Sequence, residues 1–148
     1  MTPIAGYPDA FELTRVVDGA NASLELYGTA VRLFVHQVVV VDDGHCRTES
    51  YSYRLQADAS LRSWLIRWEY VRDPPESDYA YPRAHVHVNG SFPDEAPIGR
   101  VHIASRRVSL ELVVRNLISD WGVKPRGDDW EAILGESVEG FEECRRTD

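Results

Sequence analysis

The sequence predicts an α+β fold, an antiparallel sheet of about five strands with two C-terminal helices packed on one face. Three observations carry that expectation: two-residue alternation through the first two thirds of the chain, helical spacing of apolar residues after Ser105, and turn-forming residues between the segments. A chain of 148 residues suits one domain, residues 1–148, able to bury roughly two thirds of the surface its unfolded state exposes. With 43% hydrophobic and 27% charged residues and no repeat or low-complexity tract, it has the composition of a folded globular protein.

A weak strand comes first, near Asp9 to Val17. Ala30 to Val41 follows, rich in β-branched and aromatic residues, with Val31, Leu33, Val35 and Gln37 opposed to Arg32, Phe34, His36 and Val38. Asp42-Asp43-Gly44 supplies a hairpin turn, and Cys46 to Gln56 returns with Tyr51, Tyr53 and Leu55 against Ser50, Ser52 and Arg54. Ser63 to Arg72 alternates most cleanly: Trp64, Ile66, Trp68 and Tyr70 share one face, and Leu65, Arg67, Glu69 and Val71 the other. An aromatic stripe of this kind is read as core packing. The prolines and acids of Asp73 to Asp78 end that strand, a strand bearing His85 and His87 comes next, and Ile98 to Ile103 makes a short one. The period then changes. Leu110, Val113, Val114, Leu117, Ile118 and Trp121 form one helical face, with Ser109 or Ser105 as cap and Gly122 with Pro125 as terminator. A second helix starts at Asp128-Asp129 and runs through Trp130, Ile133 and Leu134 toward Phe141.

The formal charge of −8 argues against a general nucleic-acid coat but leaves room for a local basic cleft. Of the sixteen basic residues only Lys124 is Lys, so the cations are almost all forked guanidiniums suited to phosphate or carboxylate. Cys46 and Cys144 lie far apart without CxxC spacing, which gives no support to a disulfide framework or a zinc knuckle. The first residues lack a basic segment followed by an apolar one, and no apolar run approaches the ~20 residues of a membrane span. A cytoplasmic protein without a membrane partner is the expectation. Neither GxGxxG nor GxxxxGK[ST] occurs, which disfavours nucleotide cofactors.

Chemistry concentrates in Tyr81 to Gly90, where alternation puts Arg83, His85, His87 and Asn89 on one face of a strand, facing solvent, and Ala84, Val86 and Val88 toward the core. Arg-x-His recurs at 83/85 and 100/102. If this strand pairs with that of Arg67 and Glu69, the merged face holds His85, His87 and Glu69 as acid/base groups, with Arg83, Arg67 and Arg100 as phosphate binders. RNA transesterification needs that inventory: one group to take the 2′-hydroxyl proton, one to protonate the leaving oxygen, and cations for the phosphorane. A metal bound by the HxH pair and a third ligand from His102, Glu69 or His36 is the rival. The arginines at 83 and 100 favour phosphate over a dication, so no metal or cofactor is expected. His36 and His45 read as structural, and Ser91 to Pro97 as a loop beside the site. A non-catalytic module whose acidic C-terminal helices bind a basic partner is the competing reading of the whole chain.

Three segments carry a resemblance: Ile66-Arg67-Trp68-Glu69-Tyr70, Ala84-His85-Val86-His87-Val88, and the helix Val108 to Ile118. In this order they resemble the TumE-type toxin family of bacterial toxin–antitoxin systems, over about residues 50 to 120. The resemblance implies a small metal-independent ribonuclease toxin neutralised by a cognate antitoxin protein. His85 and His87 would then carry the chemistry or hold the phosphate, with Arg67 and Glu69 beside them. This chain has Glu69 where the family has Asp, and an added acidic tail after Asp128. A free sheet edge is also compatible with a homodimer.

Overall fold

The computed structural model describes residues 2–5, 7–18, 20–42, 45–59, 64–74, 82–89 and 102–146. The chain divides into two compact units, Met1–Glu25 with Val31–Arg107, and Leu26–Ala30 with Val108–Asp148.

The first unit is a sheet. Its strands are β1 (Thr2–Ile4), β2 (Tyr7–Thr14), β3 (Val16–Val17), β4 (Ala20–Asn21), β5 (Leu24–Glu25), β6 (Arg32–Asp42), β7 (His45–Gln56), β8 (Trp64–Val71), β9 (Ala84–Val88) and β10 (Ile103–Ala104). The main sheet runs β1-β2-β6-β7-β8-β9-β10 with β5 also paired to β6, and β3 and β4 form a separate pair. Every pairing is antiparallel. The α+β class therefore stands, but the expected count of about five strands is too low. The excess comes mainly from the residues before Arg32, where the expected single strand at Asp9 to Val17 breaks at Arg15. Those strands are short, two to eight residues each, and largely exposed, so alternation has little apolar contrast to reveal them. Of the expected strand at Ile98 to Ile103, only Ile103 lies in β10, and residues 98–101 are outside the described residues.

The long strands β6 to β9 build the core on one face. Val35 stands opposite Tyr53, Leu33 opposite Leu55, Tyr51 opposite Tyr70, and Tyr70 opposite Ala84. All are buried, Leu55 completely. A fully buried side chain of this size contributes about 2 kcal/mol. The Tyr51 and Tyr53 rings stack at 4.5 Å between centroids, and Tyr53 donates its hydroxyl to Gln37 Oε1 at 2.7 Å.

The second unit contains α1 (Leu110–Trp121) and α2 (Trp130–Arg146). Ser109, not Ser105, caps α1: its Oγ accepts from the Leu112 amide at 3.2 Å. Gly122 ends the helix at φ 72°, a left-handed conformation that suits glycine. Val113 and Leu117 are the buried stripe of α1. After the helix, the Lys124 amide donates to the Tyr27 carbonyl at 2.8 Å, and across the helix pair Arg115 lies 6.0 Å over the Trp130 ring.

Candidate metal and anion site

The other face of β6 to β9 carries the polar residues, and the register arranges them in rows. One row runs His36, Ser52, Glu69, His85, and the next runs Phe34, Arg54, Arg67, His87. The β9–β10 pairing places Ala104 opposite His85 and Ile103 opposite Val86, and one further step brings His102 across from His87. Alternation on two neighbouring strands thus delivers three imidazoles to one spot.

The three rings pack against one another. Centroids lie 5.0 Å apart for His85 and His87, 5.0 Å for His85 and His102, and 4.4 Å for His87 and His102. One ring nitrogen from each lies within 4.8 Å of the other two. His85 Nδ1 sits 2.8 Å from the Pro82 carbonyl oxygen. A carbonyl only accepts, so Nδ1 is the donor, and in the neutral ring the lone pair is on Nε2, toward the cluster. Fixing a ligand's tautomer through a backbone carbonyl is the usual outer support of a metal-binding imidazole.

Glu69 faces the same point. Its Oε2 is 3.0 Å from Arg67 Nη2, 3.1 Å from His87 Nε2 and 3.6 Å from His85 Nε2. Ser52 donates to Oε1 at 3.2 Å, which orients the carboxylate. The histidine pair was expected to face solvent. Instead His87 is 3% exposed and His85 8%, while His102 is exposed. Burial pushes His87 down to about 4, helped by the Arg67 charge, with Glu69 opposing and the other two imidazoles adding to the depression. His87 is therefore neutral at pH 7, and both its ring nitrogens are buried without a hydrogen bond.

Part of that burial comes from Trp64, which departs from its expected place in the core stripe. Leu55 pairs with Ile66 but Gln56 pairs with Trp64, so Leu65 is an extra residue and the strand bulges there. A bulge shifts side-chain alternation by one. Trp64 crosses to the polar face, its ring edge-on to His87 at 6.2 Å and under the Arg67 guanidinium at 5.0 Å.

A cavity of about 390 Å³ opens over this face, lined by Arg67, Glu69, Arg83, His85, His87 and His102, with His36 and Ser52 alongside. Five of the six residues expected to carry chemistry therefore meet there: His85, His87, Glu69, Arg67 and Arg83. The sixth, Arg100, lies outside the described residues, as does the Ser91 to Pro97 loop. His36, expected to be structural, lines the cavity and is tied to Glu12 Oε1 at 2.7 Å. Arg54 and Trp64 are not among the residues expected at the site, and Trp64 is expected in the core. Alternation puts Arg54 on the polar face, but only the register sets it opposite Arg67, and no residue type announces the bulge that moves Trp64.

No protein-family model, curated protein or solved structure matches this chain. The chemistry of the site rests on its own geometry. Among the described residues no helix is long and apolar enough to cross a membrane.

Proposed function

We propose that the cavity is a hydrolytic centre for phosphodiesters, RNA first among them, in which His85, His87 and His102 hold a divalent transition metal. The observation that carries this reading is the convergence of three imidazole nitrogens within 4.8 Å of one another beside the Glu69 carboxylate. Three imidazole ligands with open positions are a catalytic-type shell, and imidazole suits zinc and its first-row neighbours. The donors fit the role: His87 is neutral, and His85 is locked in the tautomer that offers Nε2. The charge objection from Arg83 and Arg100 stands, but Arg67, the arginine whose charge acts on His87, is offset by its pairing with Glu69 at 3.0 Å. Bound there, a metal would polarise a phosphoryl oxygen and lower the pKa of a water to about 7.

The protein's own residues supply the rest. Glu69, oriented by Ser52, is the group to take or return a proton. Arg67 and Arg83, both lining the cavity, hold the anionic substrate. A metal-free ribonuclease of the kind the TumE-like motifs imply is the second reading. It is favoured by the 3.1 Å approach of Glu69 to His87, a pair able to move a proton without an ion. Either reading suits a toxin-like protein acting on RNA in the cytoplasm, with a cognate antitoxin as partner and a second copy of the chain as another.

The test is zinc titration of metal-stripped protein by calorimetry, followed by cleavage of a fluorescent oligoribonucleotide with and without chelator. One zinc per chain and chelator-sensitive cleavage are expected. Cleavage that persists without any metal uptake moves the function to the metal-free reading. Metal uptake without cleavage of any phosphodiester, or neither, sinks the hydrolytic proposal.

A further inference from the structure

Arg54 and Arg67 are direct cross-strand partners on β7 and β8, on the face that carries the histidines. Like charges placed opposite each other in a sheet are destabilising. Each guanidinium is held over an aromatic ring, Arg54 5.0 Å over Phe34 and Arg67 5.0 Å over Trp64. Arg54 Nε further donates to Ser52 Oγ at 3.0 Å. The nearby carboxylate of Glu69 pairs with Arg67 and is shared with His85 and His87. Among the described residues Arg54 has no ion-pair partner, and Arg67 Nε is buried without a hydrogen bond. Burial and the Arg67 charge both weaken the hold of Arg54 on its proton, with Glu69 opposing.

We propose that Arg54 and Arg67 form an anion subsite for the phosphate flanking the one at the histidines, so that the substrate is a single-stranded oligonucleotide rather than a mononucleotide. This rests on the phosphodiester reading above and deepens it. Arg54, Arg67 and His87 follow one another along a single cross-strand row, so Arg54 stands two inter-strand spacings, about 10 Å, from the histidine. That is far enough to engage a different phosphate from the one at the imidazoles. The fork of each guanidinium suits two phosphate oxygens, and a bridging phosphate turns the like-charge contact into an attractive one. The cavity of about 390 Å³, which Arg67 lines and Arg54 does not, admits a nucleotide-sized group and not a duplex, so a flanking phosphate would reach Arg54, the cross-strand neighbour of Arg67, on an unpaired strand leaving the cavity.

The test is fluorescence anisotropy with labelled octauridylate, at several salt concentrations, for wild type, Arg54→Gln and Arg54→Lys. Arg54→Gln should weaken binding about tenfold and lower the slope of log affinity against log salt by about one. Arg54→Lys should keep the salt slope while losing part of the affinity. In parallel, the loss of kcat/KM should be about tenfold greater on the octamer than on bis(p-nitrophenyl) phosphate, which has no flanking phosphate. Wild-type binding that depends on Arg54 without any cleavage leaves the subsite standing and removes the hydrolytic reading. Octamer affinity that is absent in wild type, or the same in all three proteins, overturns the subsite. Cleavage of both substrates with equal losses in Arg54→Gln also overturns it and leaves the hydrolytic reading intact.

Discussion

Tyr53 and His87 are buried almost equally, 1% and 3% exposed, on opposite faces of the same sheet, and they are buried on different terms. Tyr53 stacks on Tyr51 and sends its hydroxyl to Gln37. Its burial is complete in both apolar area and hydrogen bonding. His87 is enclosed by His85, His102 and Trp64, and neither ring nitrogen has a well-aligned hydrogen bond, although Glu69 Oε2 approaches Nε2 to 3.1 Å. Native structures rarely leave a buried polar group unsatisfied, and the exceptions gather where another molecule completes the bonding. One face of the sheet is thus finished by folding, while the other is left open in hydrogen-bonding terms at the point where three imidazoles and a carboxylate meet.

The largest effect is expected at Tyr53. Tyr53→Ala removes a fully buried ring and a hydrogen bond and should cost about 3–5 kcal/mol, read as a lower urea midpoint with little change in slope. Zinc stoichiometry of the fraction still folded should be unaltered, because the lost ring lies on the other face. A fall in stoichiometry together with stability would show that the two faces are not separable.

A smaller effect distinguishes the histidine by pH. Its folded-state pKa, about 4, lies below the ordinary 6.5, so the unfolded chain takes up the proton first as pH falls. Stability from this group is fully present above about 6.5 and is lost progressively down to about 4, amounting to roughly 2–3 kcal/mol across that window. Urea unfolding between pH 7 and pH 4 should show the decline, and His87→Leu, which has nothing to protonate, should flatten it. An equal slope in His87→Leu would assign the effect elsewhere. Bound zinc should steepen the fall, since protons and metal compete for the same nitrogens.

The sequence was informative wherever one face of a strand differs sharply from the other. The alternation of Trp64 to Val71 and Ala84 to Val88 put Arg67, Glu69, His85 and His87 on one side of their strands, and the structure brings them together. Helical spacing likewise located α1 and its Gly122 end, while leaving Ser105 and Ser109 both open as the cap that the structure gives to Ser109. What stayed hidden is set by pairing rather than by residue pattern. The Leu65 bulge reverses the side taken by Trp64, and the Arg54–Arg67 contact exists only in one register of β7 on β8. The burial of His85 and His87 could not be read either, because it depends on neighbours contributed by β8 and by His102 just before β10, which alternation along β9 does not reveal. The short strands before Arg32 lacked the contrast that alternation requires.

His102 gives the smallest stability effect and the sharpest division between folding and function. It belongs to the same cluster as His87 but is exposed and lies just before the two-residue strand β10. Little packing is lost on truncation, so His102→Ala should change stability by less than about 0.5 kcal/mol. If the cluster is a metal centre, the same change removes one of three ligands and should cost at least tenfold in zinc affinity, a loss seen by calorimetry in a protein whose unfolding curve is unchanged. If the chemistry is metal-free and carried by Glu69 and His87 alone, His102→Ala should leave cleavage intact. A packing role predicts the reverse pattern, reduced stability with zinc affinity retained. The exposed member of the triad therefore separates the three roles more cleanly than His87, whose removal disturbs burial and ligation together.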